Sequence, residues 1–317
     1  MKESGAKSMK CSICGNGEAL SLGKIPDCGE FAGQQVAPPI KGGELWRCKE
    51  CGSMFRYPTL TADQYLALYQ AAPGAVWEGG ESRRNDYTEI YAFLQHHSGG
   101  AILDIGCHAG GFLAGLPNKF TKSGVEPSKL AAESAASKNI NILGKTLDDV
   151  DAKPLFDVVV AIDVIEHVLD VEAFLRGALA HANKGGLLII STGDPESFYW
   201  RRVFKSRFWY SSYPEHLAFP SYRYFYRFAQ RYGLEAPEQI RFKYVNLRLL
   251  AVLSGFARQF AYAFFPALYF AYLKLRRDRK GNMEAVAATV PFGGPGIFTD
   301  HQLIIFRKRD NSACFPG

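Results

Sequence analysis

No apolar leader opens this chain of 317 residues: MKESGAKSMK is polar throughout and contains no hydrophobic core segment. The sequence therefore predicts a cytoplasmic protein in a reducing compartment. That setting, with an odd count of seven cysteines, excludes a disulfide framework. There is no internal repeat and no low-complexity tail, which excludes a repeat array. Charge of one sign is not in large excess: the net charge is +6 and spread along the chain. A nucleic-acid binder needs a clustered basic face, so no nucleic-acid partner is expected. One absence is local. In AILDIGCHAGGFL, residues 101–113, a strand-like run empties into a glycine loop that lacks the second glycine of G-x-G-x-x-G; His108 stands there.

What remains is long and apolar enough to bury one large or two smaller cores. Residues 1–58 are rich in Gly, Pro and Cys and show little helical periodicity. Residues 59–97 form a helical linker, with Thr61 or Asp63 as N-cap of TADQYLALYQ. From residue 98 to 317, β-like runs (AILDIG, KSGVEP, FDVVVAID, GGLLIIST) alternate with helical patterns (PSKLAAESAASKN, DVEAFLRGALAHAN). Such alternation predicts βαβ units in an α/β fold, a doubly wound parallel sheet. Beyond it, RYFYRFAQRYGLE reads as a helix, PEQIRFKYV as a strand and HQLIIFRKR as the final strand.

The cysteines are patterned. CSIC and CKEC place Cys11, Cys14, Cys48 and Cys51 as two CxxC knuckles, 33 residues apart. Each knuckle converges two thiolates on one tetrahedral ion, so the pair predicts a structural Zn2+ site that folds a small ribbon module over 1–58.

In the glycine loop, Asp104 precedes Gly106. A carboxylate is unfavourable beside a pyrophosphate and favourable beside a cation. S-adenosylmethionine carries an ammonium and a sulfonium, and its binding needs that acid with backbone room at Gly106 and Gly110. Twenty residues after Gly106, Glu126 arrives where a second strand ends and can accept the ribose hydroxyls. Leu147 and Asp148 lie in a loop placed to cover the adenine, and a further strand ends at Asp163 before Glu166 and His167.

ILDIGCHAGGFL, GVEPS, FDVVVAIDVIEHVLDVEAFL and KGGLLIIST, in this order and spacing, resemble the motifs of class I S-adenosylmethionine-dependent methyltransferases. The resemblance implies a seven-stranded Rossmann-like sheet whose last strand is antiparallel, with Asp104, Gly106, Gly110 and Glu126 holding the cofactor. His108 departs from the family's glycine and is placed to meet the methionine moiety. The cysteine module and YPEHLAFPS resemble, in addition, sugar methyltransferases with an N-terminal zinc-binding module. That likeness implies active-site roles for Tyr213, Glu215, His216 and His167, with the glutamate fixing the histidine tautomer or holding a hydroxyl. Those C-methyltransferases have a further C-terminal domain for which this chain has no room, so O-methylation is expected at least equally. Methyl transfer is an in-line displacement governed by positioning, and a histidine near neutral pKa suits removal of the acceptor's proton. The expected acceptor is a sugar, a nucleotide sugar, or a polysaccharide or lipid-linked glycan precursor. The alternatives are a quinone or small lipid, or a module without catalysis.

Residues 248–275 are heavily apolar, interrupted by Arg258 and Gln259 and kinked by Pro266. They predict a helical insertion, about residues 245–284, before the last strand. It is either a cap on the fold or an interfacial hairpin. In the second case, 248–280 would touch the inner membrane face through the basic run 276–280.

Overall fold

The computed structural model describes residues 9–16, 18–31, 34–71, 84–151, 155–244, 246, 249–265, 268–269 and 297–309. Its centre is a seven-stranded sheet of β1 (Gly100–Ile105), β2 (Phe120–Val125), β3 (Asn141–Gly144), β4 (Phe156–Ile162), β5 (Ala182–Gly193), β6 (Glu238–Phe242) and β7 (His301–Arg307). The strand order is 6-7-5-4-1-2-3. The ladders joining β1 to β5 are parallel, and β7 runs antiparallel to both β5 and β6. This is the sheet and the final reversal that the resemblance implies.

The run VVVA in β4 is apolar at every position because both faces of a parallel sheet are covered. Its side chains alternate between two cores: Val159 and Ala161 pack with Leu188 and Ile190, whereas Val158 and Val160 pack with Leu187 and Ile189. The flanking helices start where the sequence offers an acceptor. Ser128, Asp170 and Ser221 accept from the backbone of Ala131, Ala173 and Tyr224, opening helices Lys129–Ala136, Val171–Ala180 and Tyr222–Arg231.

The N-terminal strands Met9–Lys10, Glu18–Lys24, Glu44–Cys48 and Met54–Tyr57 form an antiparallel sheet. Its fifth strand is Ala218–Phe219, which comes from the far end of the chain and pairs with Met54–Tyr57. Helices Ala62–Ala71 and Asn85–Leu94 lie in the predicted linker; residues 72–83 are outside the described part.

The apolar segment forms a 16-residue helix, Leu249–Phe264. It runs straight through Arg258 and Gln259 and stops two residues before Pro266, as the restriction on pre-proline residues requires. Its polar Gln259 is buried along with Gly255 and Tyr262, accepting from the Trp209 N–H at 3.1 Å and donating to the Arg207 carbonyl at 2.7 Å. Leu249, Leu250, Leu253, Phe256, Phe260 and Phe264 face outward. Among the described residues no helix is long and apolar enough to cross a membrane. The basic run 276–280 lies outside the described residues.

Candidate active site

The carboxyl ends of the parallel strands carry the predicted cofactor residues. The loop after β1 turns through left-handed backbone at Gly106 (φ 74°), His108 (φ 48°) and Gly110 (φ 77°). A Cβ on Gly106 would stand 2.8 Å from Val164 Cγ2, and one on Gly110 would stand 2.3 Å from Ile140 Cδ1. Gly106 thus keeps the loop against the end of β4, and Gly110 lets the loop close on helix Lys129–Ala136. The backbone explains the histidine. Position 108 needs a positive φ, which glycine meets without strain and histidine meets more readily than most residues. The His108 N–H donates to Glu126 Oε2 at 2.9 Å, and the Ser128 N–H donates to Oε1 at 2.8 Å. Position 108 therefore orients the predicted ribose acid through its main chain.

Asp104 is buried at 3 % exposure, and its Oδ1 has no hydrogen-bond partner among the described residues. Burial, reinforced by Glu126, pushes its carboxyl well above the ordinary range; burial likewise raises that of Glu126. Two buried acids side by side, one with an unused oxygen, suit a cationic ligand. The donor set fits S-adenosylmethionine. Of the predicted adenine residues, Leu147 reaches toward Gly177 and Asp148 faces solvent, in a short turn closed by Asp149 onto the Lys145 and Thr146 amides.

Asp163, expected to touch cofactor, sits at φ 51° with both oxygens engaged. Oδ2 accepts from Arg84 at 2.7 Å and from the Tyr244 hydroxyl at 3.0 Å, and Oδ1 from the Tyr210 hydroxyl at 3.5 Å. It ties the crevice wall together. Arg84 also pairs with the buried Asp86. Burial opposes the charge of Arg84, but these two acids raise its pKa well above normal.

The predicted catalytic residues converge. His167 and His216 meet edge-on, with ring centroids 4.8 Å apart. His216 Nδ1 is 2.7 Å from the Tyr210 carbonyl and His167 Nδ1 is 3.2 Å from the Glu215 carbonyl. A carbonyl only accepts, so each Nδ1 carries the proton and each Nε2 is the basic nitrogen. Each tautomer is set by a main-chain carbonyl, that of Glu215 for His167 and that of Tyr210 for His216. Burial pushes His216 well below the usual histidine range and His167 down to about 4, so both are neutral near pH 7. The Tyr213 ring packs 5.1 Å from that of His216.

Beside this pair the fully buried Glu166 accepts from the hydroxyls of Tyr210 and Thr192, the latter at 3.0 Å. Burial, then the nearby Asp163, raises its pKa to about 8. Glu166, His167 and His216 offer donor atoms within 4.8 Å of one another.

Sequence reading missed several members of this wall. Tyr210, Tyr244, Trp209 and His301 form an aromatic cluster, with His301 centred 4.5 Å from Tyr244 and 4.8 Å from Tyr210. His301 Nδ1 lies 2.9 Å from Asp300 Oδ1, and its buried Nε2 has no hydrogen-bond partner among the described residues. The available signal was its place at the start of an antiparallel strand, which puts it at the carboxyl edge of the parallel ones.

The four knuckle cysteines also converge, about the end of strand Glu44–Cys48. The Sγ atoms of Cys11 and Cys51, and of Cys14 and Cys48, are each 3.8 Å apart. Zn–S bonds of ~2.3 Å give a tetrahedral edge of about 3.8 Å. The amides of Ile13 and Cys51 point at Cys11 and Cys48 sulfurs at 3.4 Å, as stabilises thiolates.

A family model described as a methyltransferase domain matches residues 80–239. Curated ubiquinone biosynthesis O-methyltransferases of Rickettsia typhi and Bradyrhizobium sp. (strain ORS 278) are 37% and 39% identical over 98 and 108 residues. These stretches are 29% and 30% of this chain and 40% of each relative, so the chain spans about two fifths of the length of the curated relatives it matches. A solved SAM-dependent methyltransferase from Archaeoglobus fulgidus covers 77% of this chain and 100% of its own, at 15% identity and a TM-score of 0.46.

Proposed function

Because the chain belongs to the methyltransferase-domain family, we propose that it transfers the methyl group of S-adenosylmethionine to a hydroxyl of a small aromatic acceptor of the quinone type. The expectation of a sugar or glycan acceptor is corrected here. The curated relatives at 37–39% identity are ubiquinone biosynthesis O-methyltransferases, which is the alternative acceptor class. The wall of Trp209, Tyr210, Tyr213 and Tyr244 supports a flat ring, because aromatic faces stack on aromatic faces.

The observation that carries the reading is the edge-on pair His167 and His216, each with Nδ1 on a main-chain carbonyl and Nε2 as the basic nitrogen. The bound cofactor supplies an electrophilic methyl on a sulfonium. Asp104 and Glu126 hold its cationic and ribose ends; Gly106 and Gly110 shape the loop, and Leu147 with Asp148 edges the adenine side. Asp163 braces the wall. His216 Nε2 accepts the acceptor's hydroxyl proton as the new O–C bond forms, while His167, Glu215 and Tyr213 hold that ring and the acceptor in place. Glu166, protonated at neutral pH, places no negative charge beside the base.

Cys11, Cys14, Cys48 and Cys51 hold structural zinc in this reading, within a module over 1–58, followed by the linker 59–97 and the methyltransferase domain 98–317. The exposed apolar face of helix Leu249–Phe264 supports an acceptor taken from a lipid surface. The test is an acceptor screen by intact mass. Catechol-type quinone precursors should gain one methyl and nucleotide sugars none; the reverse pattern overturns the proposal.

A further inference from the structure

The loop that presents His216 is held largely from outside the methyltransferase domain. We propose that Arg56, a residue of the cysteine-bearing module, is a positioning residue for His216, which makes the module a working part of the active site. The inference rests on reading His216 as the base.

Three observations carry it. Strand Met54–Tyr57 pairs with Ala218–Phe219, in the register Phe55 to Ala218 and Met54 to Phe219, so the ladder begins two residues after His216. The Arg56 amide extends that ladder by donating to the Leu217 carbonyl at 2.9 Å. The Arg56 guanidinium then reaches across the loop. One nitrogen donates to the carbonyls of both Ser211 (2.8 Å) and Tyr213 (2.6 Å), and the other to that of Gly42 at 3.3 Å. The loop is thereby pinned on both sides of His216.

The third observation is what Arg56 lacks. It is buried at 3 % exposure and makes no ion pair among the described residues. Burial works against its charge and the nearby Tyr65 and Glu215 favour it, but its side-chain hydrogen bonds go to carbonyls, which makes the guanidinium costly to bury. Its fork, however, can bind two carbonyls from one nitrogen plane, which an apolar side chain could not do. Tyr65 adds a second grip, its hydroxyl donating to the Pro214 carbonyl at 3.0 Å. The cysteine knuckle holds the segment further on: the Ser221 hydroxyl donates to the Cys51 carbonyl, and the Ser221 N–H to Ser53 Oγ at 3.0 Å. The opposite side is met by the core, where the Leu217 N–H donates to the Glu166 carbonyl at 2.7 Å. Carbonyls 211, 213, 214 and 217 all bind donors from residues 56 and 65. The position of the Tyr210 carbonyl, which sets the His216 tautomer, follows from this clamp.

The test compares Arg56→Met, Arg56→Lys and Tyr65→Phe in the full chain. Each is scored by kcat and KM for the acceptor, S-adenosylmethionine affinity, and long-range 15N NMR of the His216 ring, which reports its tautomer without turnover. Arg56→Met should keep cofactor affinity and acceptor KM within a few-fold. It should lose about 10²-fold in kcat, as a misplacement of about 1 Å does, and replace the single Nδ1–H signature by a mixture. Arg56→Lys should restore most of both. Unchanged kcat and an unchanged His216 spectrum in Arg56→Met overturn the inference. Should Arg56→Met not fold, Tyr65→Phe, which removes the second grip on the loop, should perturb the His216 spectrum, and an unchanged spectrum there overturns the clamp equally. A perturbed His216 spectrum in a protein for which His216→Ala leaves kcat intact supports the clamp and removes the base instead.

Discussion

His167 and His216 face each other edge-to-face at 4.8 Å, although 48 residues separate them in sequence. Each ring is turned by a hydrogen bond to a main-chain carbonyl, and each is held neutral by burial. Replacing His216 by alanine should therefore lower kcat by roughly 10²-fold or more while cofactor affinity stays within a few-fold. Single-turnover rates beside calorimetric titration of S-adenosylmethionine measure both; an unchanged rate excludes the role.

Stability should fall in acid because of the same pair. The His167 pKa drops from 6.5 to about 4 on folding. Between these values the unfolded chain binds a proton that the folded one refuses, so stability declines as pH falls through 6.5 toward 4. The decline should be about 3 kcal/mol. Denaturant melts of His167→Gln across this window should show a flatter slope than the parent.

Glu166 predicts the opposite slope. Its pKa rises from 4.5 to about 8, so the folded state holds a proton that the unfolded state releases. This contribution is complete below pH 4.5 and is lost as pH rises through 8. Glu166→Gln keeps a neutral group of similar shape and should abolish the alkaline part of the decline. Equal slopes in parent and variant would sink the assignment.

Position 108 should tolerate glycine. His108 holds φ 48° and serves Glu126 through its N–H, which glycine retains. His108→Gly should change stability by less than about 1 kcal/mol, and His108→Val should cost about 1–3 kcal/mol through strain. Cofactor affinity of the glycine variant should stay within a few-fold, as calorimetry would read.

Chelation of the cysteine site should reach the methyltransferase chemistry. If the four cysteines hold zinc as proposed, stripping it, or Cys51→Ser, should lower the melting temperature and reduce turnover together, because the Cys51 carbonyl holds Ser221 beyond the His216 loop. Metal content by mass spectrometry, followed against rate, checks this; full turnover in a metal-free, folded protein contradicts it.

The alternation of strands and helices was readable because buried strands show as short continuous apolar runs and helices as a 3.6-residue period, and β4 and helix Val171–Ala180 lie where VVVA and EAFLRGAL place them. That Asp104 and Glu126 stand at the carboxyl ends of adjacent strands was legible from spacing, since a strand, a loop and a helix have fixed lengths. The meaning of His108 was not, because its work is done by an amide that every residue except proline carries. Tyr244, His301 and Arg84 were illegible for a different reason. They reach Asp163 from segments 79 to 138 residues away or brace those that do, and no local pattern encodes such distances. The acceptor class was misread from YPEHLAFPS, whose geometry serves to place an imidazole whatever ring receives the methyl.

The strand Ala218–Phe219 closes a sheet begun before residue 10. As the chain leaves the ribosome, the edge of Met54–Tyr57 stays open until more than 160 further residues have appeared. Such non-local pairing is slow, and an open edge invites wrong partners. By then β1 to β5 have emerged, but β7, which lies between β5 and β6, has not, so the histidine loop can be pinned before the central sheet is complete. The residues proposed to hold the cofactor, Asp104 and Glu126, emerge before the proposed base His216.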